Sequence, residues 1–477
     1  MMQISKLNEV YIKVSSTDRG IEEELKEYFT FQVPGYKYMP AFKRGMWDGK
    51  LRLYNPKTKQ IYAGLFQEIV RFAEDREYDV SYTNEFTNTP FSTTESAHFL
   101  DSLNLPLEPR DYQIDAFTSA IRSKRRVLLS PTGSGKSFII YLISRYYAKK
   151  TLFVVPTTGL VYQLASDFKS YGYEQDCHLI TSGKEKDTDC LYTISTWQSI
   201  HRMPQEWFNQ FEVVICDEVH LAKAASLTKI MCNLVNCKYR FGFTGTLDGT
   251  QTNKLVIEGL FGPVKEVTTT SKLIEDKYLA DFRVKCIVLN YNEDIKKAAK
   301  KLDYQQEIDY IISNQKRNKF IVNLAESLKG NTLILFQYVE KHGEILHRML
   351  QDITNKPLYY IHGGVDGEER NDIRSVVEEQ TNAIIVASVQ TFSTGINIKN
   401  LENIVFASPS KSRIRTLQSI GRVLRKSENK IQSTLFDIAD DLSWKSHKNY
   451  TITHYIERVK IYNQEKFPYK VYRVDLQ

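Results

Sequence analysis

The stretch RVLLSPTGSGKSFII, Arg126 to Ile140, decides the fold. Its first four residues, Arg126 and three apolar ones, are of strand type, and its last four open a helical pattern that continues through Ser137–Tyr147. Between them stand Ser130, Pro131, Thr132, Gly133, Ser134, Gly135, Lys136 and Ser137, the order that a phosphate-cradling loop requires. Gly133 and Gly135 let backbone N–H groups approach an anion, and the helix N-terminus adds positive potential. Lys136 can reach the β- and γ-phosphates of ATP, and Ser137 can hold Mg²⁺. The bland alternative is a Gly-Ser turn that binds nothing, which the strand–loop–helix setting disfavours.

Outward from this loop, short apolar runs alternate with helical patterns: TLFVV, EVVIC and YRFGF, each a strand of a βα unit. A second series follows with NTLILF, PLYYI, AIIVAS, NIVFAS and STLFDI, with helices expected at His342–Leu350, Glu368–Glu379 and Ile414–Arg425. The fold class expected is α/β, two tandem RecA-like parallel-sheet lobes with a small N-terminal α+β domain. The N-terminal part reads as a strand at Val10–Val14, a helix at Gly20–Phe29, a hairpin turning at Asp48-Gly49 and a helix at Leu65–Phe72. The polar stretch Thr83–Ser96 reads as a linker. The domains expected are 1–105, N-terminal and nucleic-acid-binding; 106–280, the ATP-binding lobe; 281–441, the second lobe; and 442–477, a basic C-terminal extension.

The strand EVVIC ends in Asp217-Glu218-Val219-His220. Two carboxylates at the carboxyl end of a strand are costly to bury without a cation, and a metal–phosphate site answers that cost. Asp217 is expected to hold Mg²⁺ with Ser137, and Glu218 to orient and deprotonate an attacking water.

Bulk properties permit this reading without requiring it. The 477 residues suffice for roughly three domains. Apolar runs such as Phe138–Ile143 fall far short of the ~20 residues that cross a bilayer, so a soluble, cytoplasmic protein with no membrane partner is expected. Six cysteines, none in a C-x-x-C pair, are read as reduced thiols. A formal charge of +7 suits a polyanionic partner but does not demand one.

The motifs from about 108 to 440 resemble those of the superfamily-two DExH helicases. Serine at 130, where a glycine is usual, is common in helicases and argues against a kinase or small GTPase. Arg110-Asp111-Tyr112-Gln113 resembles the segment that reads adenine, with Gln113 the base contact and Arg110 beside it. Thr157 and Gln163, Thr181 with Gly183, and Thr196-Trp197 resemble strand-contacting segments of the first lobe; Gln337, His362-Gly363 and Thr394 resemble those of the second, with Gly395 on the nucleotide side. Thr244-Gly245-Thr246 resembles the segment that couples hydrolysis to lobe movement. In Gln418-Ser419-Ile420-Gly421-Arg422-Val423-Leu424-Arg425 the resemblance implies two arginine fingers, Arg422 and Arg425, and a Gln418 that pairs with His220. Asn397 departs from the family, since many relatives carry Asp there. More narrowly, Gly35-Tyr36-Lys37-Tyr38, Trp47-Asp48-Gly49-Lys50 and Glu465-Lys466-Phe467 resemble the UvsW-type phage DNA helicases. That resemblance implies an ATP- and Mg²⁺-dependent monomer that remodels branched or forked DNA, with RNA–DNA hybrids as a further substrate.

Between Tyr36 and Gln60 seven cations face a single acid, Asp48. A face so basic is either solvated or paired with phosphates, and Leu51 and Leu53 alternating with Arg52 and Tyr54 also suit a plain edge strand. Beside a helicase motor the expectation is duplex binding through Lys43, Arg44, Lys50 and Arg52, with Trp47 stacking on an opened base. Two rivals stay open at this level: an RNA-remodelling DExH ATPase, and a strand-annealing nucleic-acid-binding protein on an idle ATPase scaffold.

Overall fold

The structure, a computed structural model, describes the chain except residues 84, 86, 87, 182, 184, 222–224, 248, 249, 396, 397, 399, 410, 411, 413–415, 418, 422, 423, 425–431 and 477; at 225, 252, 367, 368, 371 and 393–395 it describes the backbone alone. The chain forms two compact units. One comprises Met1–Ser130 and Gly135–Thr268, the other Thr269–Gln477 together with Pro131–Ser134.

The N-terminal domain is built on strands β1 (Met2–Lys6), β2 (Tyr11–Ser16), β3 (Thr30–Gln32), β4 (Lys50–Arg52), β5 (Gln60–Tyr62) and β6 (Val80–Tyr82). Four of them make a mixed sheet in the order β5-β2-β1-β6. Strict alternation turns Met2, Ile4, Ile12 and Val14 inward, where they meet Leu25 and Phe72 from the helices Arg19–Tyr28 and Phe66–Glu74. Asp18 caps the first of these by accepting from the Gly20 amide.

The expected hairpin within Phe42–Tyr54 is not formed. Pro40 starts a short helix, Pro40–Lys43, and β4 pairs antiparallel with β3 instead of with a neighbour across Asp48-Gly49. Gly49 does take a left-handed turn (φ 78°), yet the segment before it runs from the helix Pro40–Lys43 through a turn and contains no strand to pair with. The supposed linker is also partly structural. Ser92 and Glu95 form a reciprocal capping box that opens the helix Thr93–Ser102, and buried Ser96 bonds Thr118 at 2.7 Å.

The first lobe carries β7 (Arg125–Leu129), β8 (Thr151–Val155), β9 (His178–Ile180), β10 (Tyr192–Thr196), β11 (Val213–Cys216), β12 (Tyr239–Thr244) and β13 (Val264–Glu266), all parallel, in the order β13-β7-β12-β11-β8-β10-β9. β8, β10 and β11 are buried throughout, which explains their unbroken apolar runs. The N-terminal domain seats on this lobe. Gly64 lies so near the helix Gln251–Phe261 that a Cβ there would stand 2.0 Å from the Glu258 carbonyl oxygen, so only glycine permits the approach.

The second lobe carries β14 (Asp281–Asn290), β15 (Thr332–Phe336), β16 (Leu358–Ile361), β17 (Ile384–Ser388), β18 (Asn403–Phe406), β19 (Gln432–Asp441) and β20 (Tyr469–Asp475). They form a second all-parallel sheet, β16-β17-β15-β18-β19-β14-β20. The basic tail belongs to this sheet through β20. The helix that precedes β20, Tyr450–Gln464, is held at its start by buried Glu307, which accepts from the amides of Tyr450 and Thr451 at 3.0 and 2.7 Å. Its Arg458 donates to buried Asp437 at 2.7 Å. The six cysteines are all free thiols. Among the described residues no helix is long and apolar enough to cross a membrane.

Candidate active site

Both sheets place several of the expected site residues, among those described, at the carboxyl ends of parallel strands, where open α/β sheets hold ligands. In the first lobe the neighbours β7, β12 and β11 lead to the phosphate loop, to Thr244-Gly245-Thr246 and to Asp217-Glu218. The adjoining β8, β10 and β9 lead to Thr157, Thr196 and Thr181.

The loop leaves β7 with the Ser130 amide bonded to the Thr244 carbonyl at 2.8 Å, which ties two strand ends together. Ser134 closes the turn by donating its hydroxyl to the Pro131 carbonyl at 2.6 Å. Gly135 precedes the helix Lys136–Tyr147 in a left-handed conformation (φ 79°), and a Cβ there would meet Gln113 Nε2 at 2.4 Å. The conformation favours glycine, and any side chain there would have to displace Gln113. Gln113 is 4% exposed, and its Oε1 accepts from the Arg110 amide at 3.0 Å, so it caps the helix Asp111–Ser123 while lying against the loop. Arg110 donates to the Tyr112 hydroxyl at 2.7 Å.

Lys136 Nζ lies 3.2 Å from Glu218 Oε1 and 3.8 Å from Asp217 Oδ1. Burial pushes both carboxyls up, but the outcomes differ. At Glu218 the charge of Lys136 and the contact with His220 outweigh burial and hold the group well below the usual carboxylate range. At Asp217 burial and the neighbouring Glu218 charge prevail over Lys136, and the group stays above that range. Glu218 also has a left-handed backbone (φ 53°), a conformation that costs a non-glycine residue on the order of 1–3 kcal/mol and persists where the surroundings impose it.

His220 Nδ1 lies 3.1 Å from Glu218 Oε2 and 2.9 Å from Thr244 Oγ1, and Thr244 donates onward to the Thr246 carbonyl at 2.8 Å. A buried chain thus runs from the acid pair to the Thr-Gly-Thr segment. Ser137 Oγ is hydrogen-bonded to the Tyr171 hydroxyl at 2.9 Å, a partner with no sequence signal. One ammonium facing two half-buried carboxylates, with a serine hydroxyl and a glycine-bordered turn beside them, is a donor set that fits a divalent cation and a polyphosphate.

The remaining candidates divide by exposure. Gln163 and Gly183 are open to solvent, whereas Thr181 and Thr196 are buried, and Thr196 Oγ1 bonds Ser199 Oγ at 2.9 Å. Trp197 is 8% exposed and packs with Ile200, Trp207 and Phe208 in the lobe core, so it supports the segment instead of presenting a ring to a strand. In the second lobe Gln337 and Gly363 are exposed, and His362 accepts from the Gly364 amide at 3.2 Å. Thr394 and Gly395 are described in backbone only, at the end of the helix Val389–Gly395. Gln418, Arg422, Arg425 and Asn397 lie outside the described residues.

In the N-terminal domain Lys43, Arg44 and Lys50 are exposed and make no ion pair among the described residues. Arg52 differs, because both of its terminal nitrogens reach the Asp48 carboxylate, one at 3.2 Å. Trp47 is half-buried and donates Nε1 to the Lys50 carbonyl at 2.9 Å, a bond that fixes the start of β4. The most open ring of the stretch is Tyr38.

A phosphate loop, an acid pair and a Thr-Gly-Thr segment on one parallel sheet, followed in the chain by a second such sheet, define the class: a tandem RecA-like motor of the helicase type. Family models match in the same order: "DNA helicase UvsW, N-terminal" over residues 3–83, "Type III restriction enzyme, res subunit" over 106–249 and "Helicase conserved C-terminal domain" over 315–427. The ATP-dependent DNA helicase uvsW of Enterobacteria phage T4 is 36% identical, over 95% of each chain. The DNA 3'-5' translocase XPB2 of Sulfurisphaera tokodaii is 22% identical, over 84% of this chain and 93% of that protein. The crystal structure of T4 UvsW superposes with a TM-score of 0.53 at 32% identity, covering 100% of both chains. The chain belongs to the UvsW family of ATP-dependent DNA helicases.

Proposed function

We propose that the chain uses ATP hydrolysis to remodel branched DNA, by branch migration, fork regression and unwinding of D-loops and R-loops, in phage recombination, repair and replication restart. The observation that carries this reading is the Lys136–Glu218–Asp217 cluster at the carboxyl end of the first sheet, in a chain whose N-terminal domain is of the UvsW type.

Glu218, ionised beside Lys136 and His220 in the nucleotide-free chain, orients and deprotonates the attacking water once Lys136 has moved to the phosphates. Lys136 leaves the carboxylates for the β- and γ-phosphates. Ser137 and Asp217 would hold Mg²⁺, which when bound neutralises phosphate charge. Arg110 and Gln113 are the proposed base-side contacts, and Arg422 and Arg425 the proposed fingers that offset charge on the transferred group. The His220–Thr244–Thr246 chain passes a change at Glu218 to the segment that moves with the strand-contacting loops, and Gln418 is the proposed partner of His220 across the cleft. Gln163, Gly183, Gln337 and Gly363 are the exposed candidates for the tracked strand, with 3′ to 5′ polarity. The division into a DNA-gripping domain (1–105), motor lobes (106–280 and 281–441) and an extension (442–477) is part of this proposal, as is action by a monomer in the host cytoplasm.

The test is unwinding and ATPase stimulation over a panel of forks, four-way junctions, RNA–DNA hybrids and single-stranded RNA. Forked DNA should stimulate ATPase most, and Lys136→Ala should abolish remodelling. Equal stimulation by RNA, or fork remodelling that survives Lys136→Ala, would defeat the reading.

A further inference from the structure

We propose that the seam between the N-terminal domain and the first lobe is a second phosphate site, remote from the nucleotide loop. A cavity of about 100 Å³ opens there, several waters in size, lined by Lys6, Glu9, Lys124, Arg125, Arg126 and Lys238. It lies at the amino edge of the sheet: Arg125 and Arg126 begin β7, whose other end leads into the phosphate loop at Ser130. Parallel pairing gathers the cations, because Arg240 stands opposite Arg125 in the register and donates its amide to the Lys124 carbonyl at 3.0 Å. That brings Lys238, two residues before Arg240, to the segment Lys124–Arg126.

Charge in this cavity is unbalanced. Five cations line it against two carboxylates, Glu9 and Glu85. Glu9 is already shared, 2.5 Å from Lys6 Nζ and 3.3 Å from Arg125 Nη2. Lys124, Arg126 and Lys238 have no acid partner among the described residues, and Arg126 donates only to the Ser123 hydroxyl, at 3.3 Å. Arg125 Nη1 is buried with no hydrogen-bond partner among the described residues. A buried donor of this kind is costly and calls for an acceptor. Burial, then the charges of Lys238 and Lys6, draw the Lys124 ammonium below its ordinary value, and burial holds Arg125 down at about 10. A tetrahedral dianion answers each feature at once, since it accepts from the orphaned guanidinium and neutralises ammonium groups that otherwise repel one another.

A run of three cations at a helix–strand junction is ordinarily a solvated face. Here Lys124 closes the helix Asp111–Ser123 in a left-handed conformation (φ 60°), and all three side chains are only partly exposed beneath the N-terminal domain. The phosphate could be free or part of a DNA backbone, and the two sources share this chemistry.

The test uses the full chain with its nucleotide site saturated by ADP and Mg²⁺, so that the loop at Lys136 cannot contribute. Pyrophosphate binding is measured by calorimetry, and forked-DNA binding by anisotropy. Wild type should bind pyrophosphate, and the Lys124→Gln/Lys238→Gln double variant should bind it at least tenfold more weakly while keeping its basal ATPase. Lys238→Gln alone, at an exposed position, should weaken it several-fold and guards against a folding defect in the double variant. If pyrophosphate competes with the fork and the double variant loses affinity for both, the ligand is a backbone phosphate. If fork binding is unchanged while pyrophosphate binding falls, the ligand is a free phosphate compound. Absence of pyrophosphate binding under ADP saturation, or equal binding by wild type and variants, overturns the site. A chain that bound pyrophosphate here yet failed to open forks would leave the site standing and defeat the functional reading alone.

Discussion

The Tyr171 hydroxyl lies 2.9 Å from Ser137 Oγ, so the residue proposed to hold the metal is oriented by a side chain from the end of the next helix. Tyr171 also packs its ring edge-on against Phe138, with centroids 5.0 Å apart. Tyr171→Phe keeps that packing and removes only the bond, worth about 1 kcal/mol. The KM for MgATP should rise about fivefold with the melting temperature nearly unchanged. An unchanged KM would show the bond to be incidental.

The two acids should separate in their effect on stability. Glu218 contacts both Lys136 and His220, whereas Asp217 approaches Lys136 only at 3.8 Å and is raised by burial and by its neighbour's charge. Glu218→Gln should therefore lower nucleotide-free stability by about 1–2 kcal/mol, while Asp217→Asn should leave it unchanged or raise it. Both should reduce ATP turnover by ~10²-fold or more. Urea melts paired with ATPase assays decide this; identical melts for the two variants would contradict it.

Fork binding should distinguish among cations that look alike in sequence. Each phosphate contact contributes about 0.9 to the slope of log K against log salt on duplex DNA. Replacing Lys43, Arg44 and Lys50 with alanine should flatten that slope by about two to three, whereas Arg52→Ala should change it by less than one because Asp48 already neutralises Arg52. Tyr38→Ala should weaken binding to an opened fork more than Trp47→Phe does, since the Trp47 ring is committed to β4. The reverse order would restore Trp47 as the stacking residue.

Acid should weaken the second lobe through His342. This side chain is fully buried, with Nδ1 2.9 Å from the Ser408 hydroxyl that also accepts from the Gln337 amide. Burial, aided by the Arg317 charge, pushes it down to about 3, against about 6.5 in an unfolded chain. The unfolded state thus binds the extra proton, so this contribution is complete above pH 6.5 and fades as pH falls toward 3. The loss is about 1.4 kcal/mol per pH unit. Denaturant melts at pH 7 and pH 5 should differ by about 2 kcal/mol more in wild type than in His342→Gln; an equal difference would exclude His342 as the cause.

The parallel sheets were legible because βα units announce themselves as apolar runs between helical patterns, and the phosphate loop because its chemistry needs particular residues at particular positions. The stretch around Asp48-Gly49 reads as a hairpin because a glycine turn does not say which strand its neighbour will pair with; Thr30–Gln32 lies well upstream. Trp197 misled for a related reason. It follows Thr196, which the resemblance assigns to a strand contact, yet its ring packs in the core. Tyr171 and the Lys124–Lys238 proximity left no local trace, since both arise only when distant segments meet on the sheet.

In the second lobe the opening strand β14 pairs solely with β19 and β20, the last two strands of its sheet. During synthesis the first lobe has every strand in hand while β14 still waits, its ladder groups unpaired, for residues made much later. Such late, long-range closure is slow and prone to aggregation. A pause or truncation upstream of residue 432 would strand a folded ATP-binding lobe beside a sticky, half-built one, a species for chaperones to guard.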